Sequence, residues 1–326
     1  MSDQGGTRMQ EPGRPVLRTV TRTQGANEAL KSGEVTPRGF RLEFEEVPVL
    51  VSAFRRMVRE LAYDVSEMAL TTYLVAKEHG VEFTALPIFI ARGLHHGVIQ
   101  VAAAGGIRHP KDLEGRRVGV DRGYTVTTGV WARAILQEEY GVDLDRVTWV
   151  LSGDEHVAQY RPPANVVPVK PPRSLEELLR SGKLAAVLGA PIQAPDVTPL
   201  IPDPTGTALT ALRERGLYPI NHLVVVRDDV LRAHPDLARD LFDAFVRAKQ
   251  VYLDRLTNGG IASPTAVDRL HQQVHELTGA DPLPYGIEPN REVLERLVRT
   301  AVDQKILSRP VELEDVFAGD TLDLVG

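Results

Sequence analysis

Short apolar runs alternate along the chain with segments whose apolar residues recur at helical spacing. Val16 to Thr21 reads as a first buried strand, Asn27 to Lys31 as a short helix stopped at Ser32-Gly33, and Phe40 to Glu46 as a second strand. Phe54, Met57, Val58 and Leu61 place an apolar stripe on a helix over Val51 to Leu61. A strand at Tyr63 to Val65 and a helix at Glu67 to Glu78 follow, and Phe83 to Phe89 leads into the polar loop Arg92-Gly93-Leu94-His95-His96. Gly97 to Ala103 reads as a strand leading out of this first unit. The βαβαβα order predicts α/β architecture, a parallel sheet with helices on both faces.

A second unit opens at the turn Asp112 to Gly115, whose strand ends near Asp121, and continues through a helix over Val130 to Tyr140. Val147 to Leu151 is a strand ending at Ser152-Gly153-Asp154-Glu155, Ser174 and Glu177 form a capping box for a helix to Arg180, and Ala185 to Leu188 is a strand. Ala190 to Pro204 is a long Pro-rich loop, Leu217 to Val226 a return strand, and Pro235 to Leu256, Pro264 to Leu277 and Arg291 to Gln304 are helices. This order gives a disordered head over 1–14, a first lobe from 15–104 plus 222–326, and a second lobe over 105–221. Two connections, near Gly105 and Asn221, then cross between lobes, and the cleft between them is the natural ligand site.

Two strand-to-helix junctions carry candidate chemistry. Ser66 stands where a helix would begin, so its hydroxyl and the free N–H groups of the first turn, with the positive end of the helix dipole, would face an anion. Thr125, Thr127 and Thr128 repeat the arrangement before the helix at Val130. At each junction a cap without a ligand is the alternative.

Composition narrows the function. With 326 residues, 43% of them hydrophobic, the chain can bury the cores of two lobes. A net charge of −6 without a basic stripe argues against nucleic acid, and no apolar run is long enough to span a membrane. The polar start, Met1 to Pro15, has no signal-peptide core, which points to the cytoplasm. Zero cysteines remove thiolate nucleophiles and disulfides. There is no dinucleotide loop, Walker-type loop or nucleophile elbow. The expected partner is an anionic small molecule, and a homo-oligomer is compatible with the chain.

Ordered strings along nearly the whole chain resemble the 4,5-dihydroxyphthalate decarboxylase family: Tyr63-Asp64-Val65-Ser66-Glu67-Met68 with Tyr73, then Pro87, Phe89, Arg92 and His96. Pro110-Asp112-Leu113, Gly115 to Val120, Val130-Trp131, Glu139 to Val142, Trp149 with Gly153 and Glu155, and Gly216 through Arg227 continue the match. The resemblance implies a two-lobed, type 2 periplasmic-binding-protein-like fold with an interlobe cleft. Departures fall on loops: Thr21 to Asn27 keeps only Arg22 of the family's charged run, Leu94-His95-His96 replaces Phe-Arg-His, the loop before Trp131 is one residue longer, and Asn221 replaces a Met.

The activity so implied is decarboxylation of a hydroxylated aromatic or related cyclic acid without a cofactor. That reaction needs an acid to protonate the ring carbon, a partner for the ring hydroxyl and clamps for carboxylates. His96 and His222 match family positions and are the candidate proton carriers, with His95 additional; a histidine satisfied within the fold is the alternative for His222. Arg92 could clamp a carboxylate or form a surface ion pair, Glu67 could act in the cleft or complement a helix dipole, and Trp131 could stack on a ring or pack in the core. Arg22, Ser66, Thr125, Thr127, Thr128, Asn221 and Glu155 complete the candidate substrate site. No metal is assigned, although His95, His96 and His222 with Glu67 or Glu155 are of the right donor types for a divalent ion. The alternatives are a solute-binding protein for an anionic molecule and another enzyme on this fold, a dehydratase or synthase of the menaquinone type.

Overall fold

The computed structural model describes residues 14–170 and 173–326, so the expected head lies outside the described residues except for Arg14. In chain order the first unit contains β1 (Val16–Val20), α1 (Gly25–Lys31), β2 (Arg41–Phe44), α2 (Leu50–Glu60), β3 (Val65–Ala69), α3 (Leu70–Glu78) and β4 (Phe83–Arg92). The chain then builds β5 (Ile99–Ala102), β6 (Arg117–Val120), α4 (Thr127–Tyr140), β7 (Thr148–Leu151), β8 (Val166–Pro168), α5 (Leu175–Arg180), β9 (Ala186–Leu188), β10 (Val197–Pro199) and α6 (Pro204–Arg215). It returns through β11 (Ile220–Arg227) and finishes with α7 (Asp228–Ala233), α8 (Leu237–Thr257), α9 (Ala266–Thr278), α10 (Arg291–Asp303) and α11 (Leu313–Val316).

These strands make two sheets, ordered β2-β1-β3-β11-β4 and β10-β5-β9-β6-β7-β8. β1 runs parallel to β2 and β3, whereas the returning β11 lies antiparallel between β3 and β4 and sets His222 beside Ala69 and Ala91. In the second sheet β6 is parallel to β7 and β9, and β5 pairs antiparallel with β9 and β10. The strand expected to lead out of the first lobe, Gly97 to Ala103, is β5 and belongs to the second sheet. The first crossing is therefore the segment 93–98, ahead of the expected point near Gly105.

Burial explains the helices. α8 turns Leu241, Phe242, Phe245, Ala248 and Tyr252 inward, and α1 packs against it through Ala26, Ala29 and Leu30. The approach is close enough that a Cβ on Gly25 would stand 2.1 Å from the Tyr252 ring. Among the described residues no helix is long and apolar enough to cross a membrane.

One misplacement matters for function. The helix expected from Glu67 starts at Leu70, and the strand extends through Ser66 and Glu67 to Ala69. All five residues of β3 are buried because it lies between β1 and β11 with both faces covered, so it shows neither the alternation of a half-exposed strand nor a helical stripe.

Candidate functional site

Both crossings border a cavity of about 370 Å³ lined from both units: Arg22 and α2 residues Leu50, Val51 and Phe54 on one side, Arg122, Val126, Thr127, Thr128 and His156 on the other, with Arg92, His95, Asn221 and His222 at the crossing segments. A larger groove of about 760 Å³ lies along β2, but none of the histidines lines it. The interlobe cavity is where polar groups converge, and convergence rather than size marks a site.

His222 is anchored from behind. Its Nδ1–H donates to Glu67 Oε1 at 2.6 Å, and the other carboxylate oxygen accepts the Arg22 backbone N–H at 2.8 Å. Glu67 is fully buried, so two donors compensate a charge that would otherwise be costly to desolvate. The arrangement fixes ring tautomer and orientation. Phe54 packs edge-on at 5.1 Å from the His222 ring, and Nε2 makes no hydrogen bond to the described residues.

His95 is held differently. Asn221 donates to Thr128 Oγ1 at 3.3 Å, which orients its amide oxygen toward His95 Nε2 at 3.0 Å. With Nε2 assigned as the donor by this chain of bonds, the partnerless Nδ1 is left as an acceptor. Burial pulls the imidazoles of His95 and His156 down to about 4, so both are neutral at pH 7. Among the described residues His156 Nδ1 also lacks a partner.

Two helix starts meet at the cavity, though not where Ser66 was expected to mark one. Ser66 sits in β3, donates to the Glu67 carbonyl and caps nothing; the capping position of α3 is Ala69. The first turn of α3 presents Thr72, whose buried hydroxyl has no partner among the described residues. Thr71 joins α3 to the start of α4, its N–H donating to Thr127 Oγ1 at 3.2 Å and its hydroxyl to the Thr125 carbonyl at 2.6 Å. Thr127 and Thr128 line the cavity as expected. Thr125 does not, because its N–H and hydroxyl, with the Tyr124 N–H, bind the Glu155 carboxylate. The chain's own carboxylate thus fills the anion position anticipated there, and Glu155 is not among the cavity's lining residues.

Three other candidates are engaged by partners within the protein. His96 is buried off the cavity, where Nε2 bonds Glu139 at 3.0 Å and Arg215 bonds the same carboxylate at 2.8 Å. Trp131 is buried and donates Nε1–H to the Ile220 carbonyl at 3.0 Å, so it ties α4 to β11. Arg92 lines the cavity with its terminal nitrogens donating to the Tyr218 carbonyl and to Asn290 Oδ1, while its Nε has no partner among the described residues. Burial lowers this guanidinium to about 10. Among the described residues no three His, Asp or Glu side chains gather as metal donors, so the candidate set around His95, His96 and His222 is not brought together.

The described lining residues therefore combine guanidinium groups of Arg22, Arg92 and Arg122 and imidazoles of His95, His156 and His222, with no carboxylate among them. In a chain of net charge −6 this is a cavity with three guanidinium groups and an apolar wall. Sequence reasoning missed Arg122, His156 and Thr72. Arg122 was within reach: it follows a parallel strand at its carboxyl end, the place where open α/β sheets bind ligands.

No family model matches the chain. Over 281 residues it is 32% identical to the 4,5-dihydroxyphthalate decarboxylase of Comamonas testosteroni, covering 81% of this chain and 84% of that protein. A 4,5-dihydroxyphthalate decarboxylase of Pseudomonas putida is 34% identical over 169 residues, 48% of this chain and 65% of that protein. Among solved structures, the desulfurization enzyme DSZB aligns with a TM-score of 0.54 and 16% identity, covering 95% of this chain and 98% of that one. The aliphatic sulphonate binding protein SsuA of Escherichia coli gives 0.51 and 11%, covering 95% and 99%. A Candida albicans protein described as having the generic periplasmic binding protein fold gives 0.52 and 16%, covering 93% of each chain. At such identities the structural likeness establishes the fold alone, that of the periplasmic binding proteins.

Proposed function

Because this chain belongs to the 4,5-dihydroxyphthalate decarboxylase family, we propose that it removes carbon dioxide from a hydroxylated aromatic carboxylic acid bound between its two sheets. The observation that carries this reading is the Glu67-backed His222, whose Nε2 is free in a cavity lined by guanidinium groups and two helix starts.

In the proposed reaction, imidazolium Nε2 of His222 gives its proton to the ring carbon bearing the carboxylate, while Nδ1 of His95 accepts the proton of a para hydroxyl. Ring electrons are then held as a dienone. The C–C bond breaks, carbon dioxide leaves, and the bond pair restores the aromatic ring as a phenolate, which His95 reprotonates. His222 recovers its proton from solvent, so each turnover consumes one proton. Glu67 acts as a positioning residue that keeps Nε2 aimed at the ring and balances the imidazolium charge. Arg22, Thr72 and the first-turn N–H groups of α3 and α4 supply donors for carboxylates.

Replacing His222 by Asn tests the assignment. General acid catalysis is worth roughly 100-fold to 10,000-fold, so kcat should fall on that order while substrate affinity changes less than threefold. A His222→Asn enzyme with undiminished kcat would remove His222 from the reaction.

A further inference from the structure

Arg122 has a backbone φ of +65°, a left-handed conformation that non-glycine residues adopt at an energetic penalty. Two contacts hold it there. Its N–H donates to Ser152 Oγ at 2.7 Å, and its carbonyl accepts from the Gly153 N–H at 3.3 Å. Gly153 permits this approach, since a Cβ there would lie 3.3 Å from the Arg122 Cα.

The strained residue carries a guanidinium into the cavity. Nε donates to Asp121 at 3.0 Å, whereas the two terminal nitrogens make no hydrogen bond to the described residues. Arg22 occupies the matching position in the first sheet. It stands two residues beyond the end of β1 as Arg122 stands two beyond β6, each on the loop that leads to a helix. Arg92, by contrast, already spends both terminal nitrogens on the protein.

A carboxylate that leaves as carbon dioxide loses its charge in the transition state, so a strong guanidinium pair on that group would stabilise the ground state and slow the reaction. A fork-ready arginine is better used on a carboxylate that stays. Arg22 adjoins Glu67 and hence His222; Arg122 reaches in from the opposite sheet. We propose that Arg122 is a specificity-determining residue that binds the substrate's retained carboxylate, making the site select a dianion over the corresponding monocarboxylate. The inference rests on the decarboxylase reading above.

Titration calorimetry with phthalate and with benzoate, which differ by one carboxylate and lack the ring hydroxyl that the reaction needs, so that both persist unchanged, tests it on the full chain. The native protein should bind the dicarboxylate at least tenfold more tightly. Arg122→Gly and Arg122→Asn, both tolerant of the left-handed backbone, should reduce that ratio to below threefold, and Arg122→Lys should retain part of it. The Gly variant should also melt at or above the native temperature, which separates loss of the guanidinium from loss of folding. An unchanged affinity ratio in folded Gly and Asn variants would overturn the role of Arg122. Tight binding of 4,5-dihydroxyphthalate by the native protein without carbon dioxide release would instead overturn the decarboxylase reading, and the affinity ratio would still decide the role of Arg122.

Discussion

At the scale of single residues, the cavity separates its imidazoles by burial and by partner. His95 and His156 are drawn to about 4 by desolvation, as is His271, which lies away from the cavity against Tyr252. Each folded value is below the ordinary 6.5, so as pH falls the unfolded chain takes up these protons first. The stability contribution is therefore complete above about 6.5 and is lost as pH falls toward 4. Denaturant midpoints should be level from pH 8 to 7 and drop between 6.5 and 4.5, with His271→Gln flattening part of that drop; a midpoint independent of pH over this range would contradict the burial of these rings. Residue identity conveyed part of the site and misled about another part. His222, His95, Glu67, Arg22, Asn221, Thr127 and Thr128 come together at or directly behind the cavity. His96, Trp131 and Glu155 had equally suggestive chemistry, but Glu139 binds Nε2 of His96, the Ile220 carbonyl binds Trp131, and the Tyr124-Thr125 amides bind Glu155 within the protein. Which polar groups are satisfied internally depends on contacts distant in sequence, and local spacing does not carry that information.

Among the elements, the β3–α3 junction decides how an anion would be held. Ser66, the conspicuous candidate, is a buried strand residue, whereas Thr72 in the first turn of α3 has a buried hydroxyl with no partner among the described residues. Ser66→Ala should cost about 1 kcal/mol of stability through its lost hydrogen bond yet change KM less than twofold. Thr72→Val, nearly isosteric, removes a hydroxyl that bonds nothing in the free protein, so the melting temperature should hold or rise while KM increases severalfold. The reverse pattern in those two variants would restore Ser66 as the ligand-facing residue. The misreading has a physical origin: β3 is covered on both faces, and its buried Ser66 and Glu67 imitate the cap and acidic first turn of a helix. α6 escaped notice for a related reason. Pro204, Thr205, Gly206 and Thr207 look like loop, although Asp203 accepts from the Gly206 N–H and starts the helix. The long helices α8, α9 and α10, with clear apolar faces, fall within two residues of where the sequence puts them.

Across the whole molecule, the crossings and a set of ion pairs join the two units around the cavity. Arg55 and Arg59 on α2 bind Asp154, and Arg59 also donates to the carbonyls of Glu155 at 2.8 Å and His156 at 3.1 Å. This clasp holds the loop that brings His156 to the cavity. Because Arg59 donates to backbone as well as to a partly exposed carboxylate, its truncation should matter more than a surface ion pair. Arg59→Ala should enlarge the radius of gyration of the ligand-free protein in small-angle scattering and raise KM about tenfold; identical scattering and KM would mean that the clasp does not govern closure. The two-unit order was legible because strands and helices alternate twice and the chain returns late to its first sheet. The placement of β5 was not, since a four-residue apolar strand can pair with either sheet. The account stands most directly on carbon dioxide release from 4,5-dihydroxyphthalate by the purified chain in deuterated water. Turnover with one deuterium on the ring carbon that lost its carboxylate is the expected result, and tight binding of this and related hydroxylated acids without any release of carbon dioxide would contradict it.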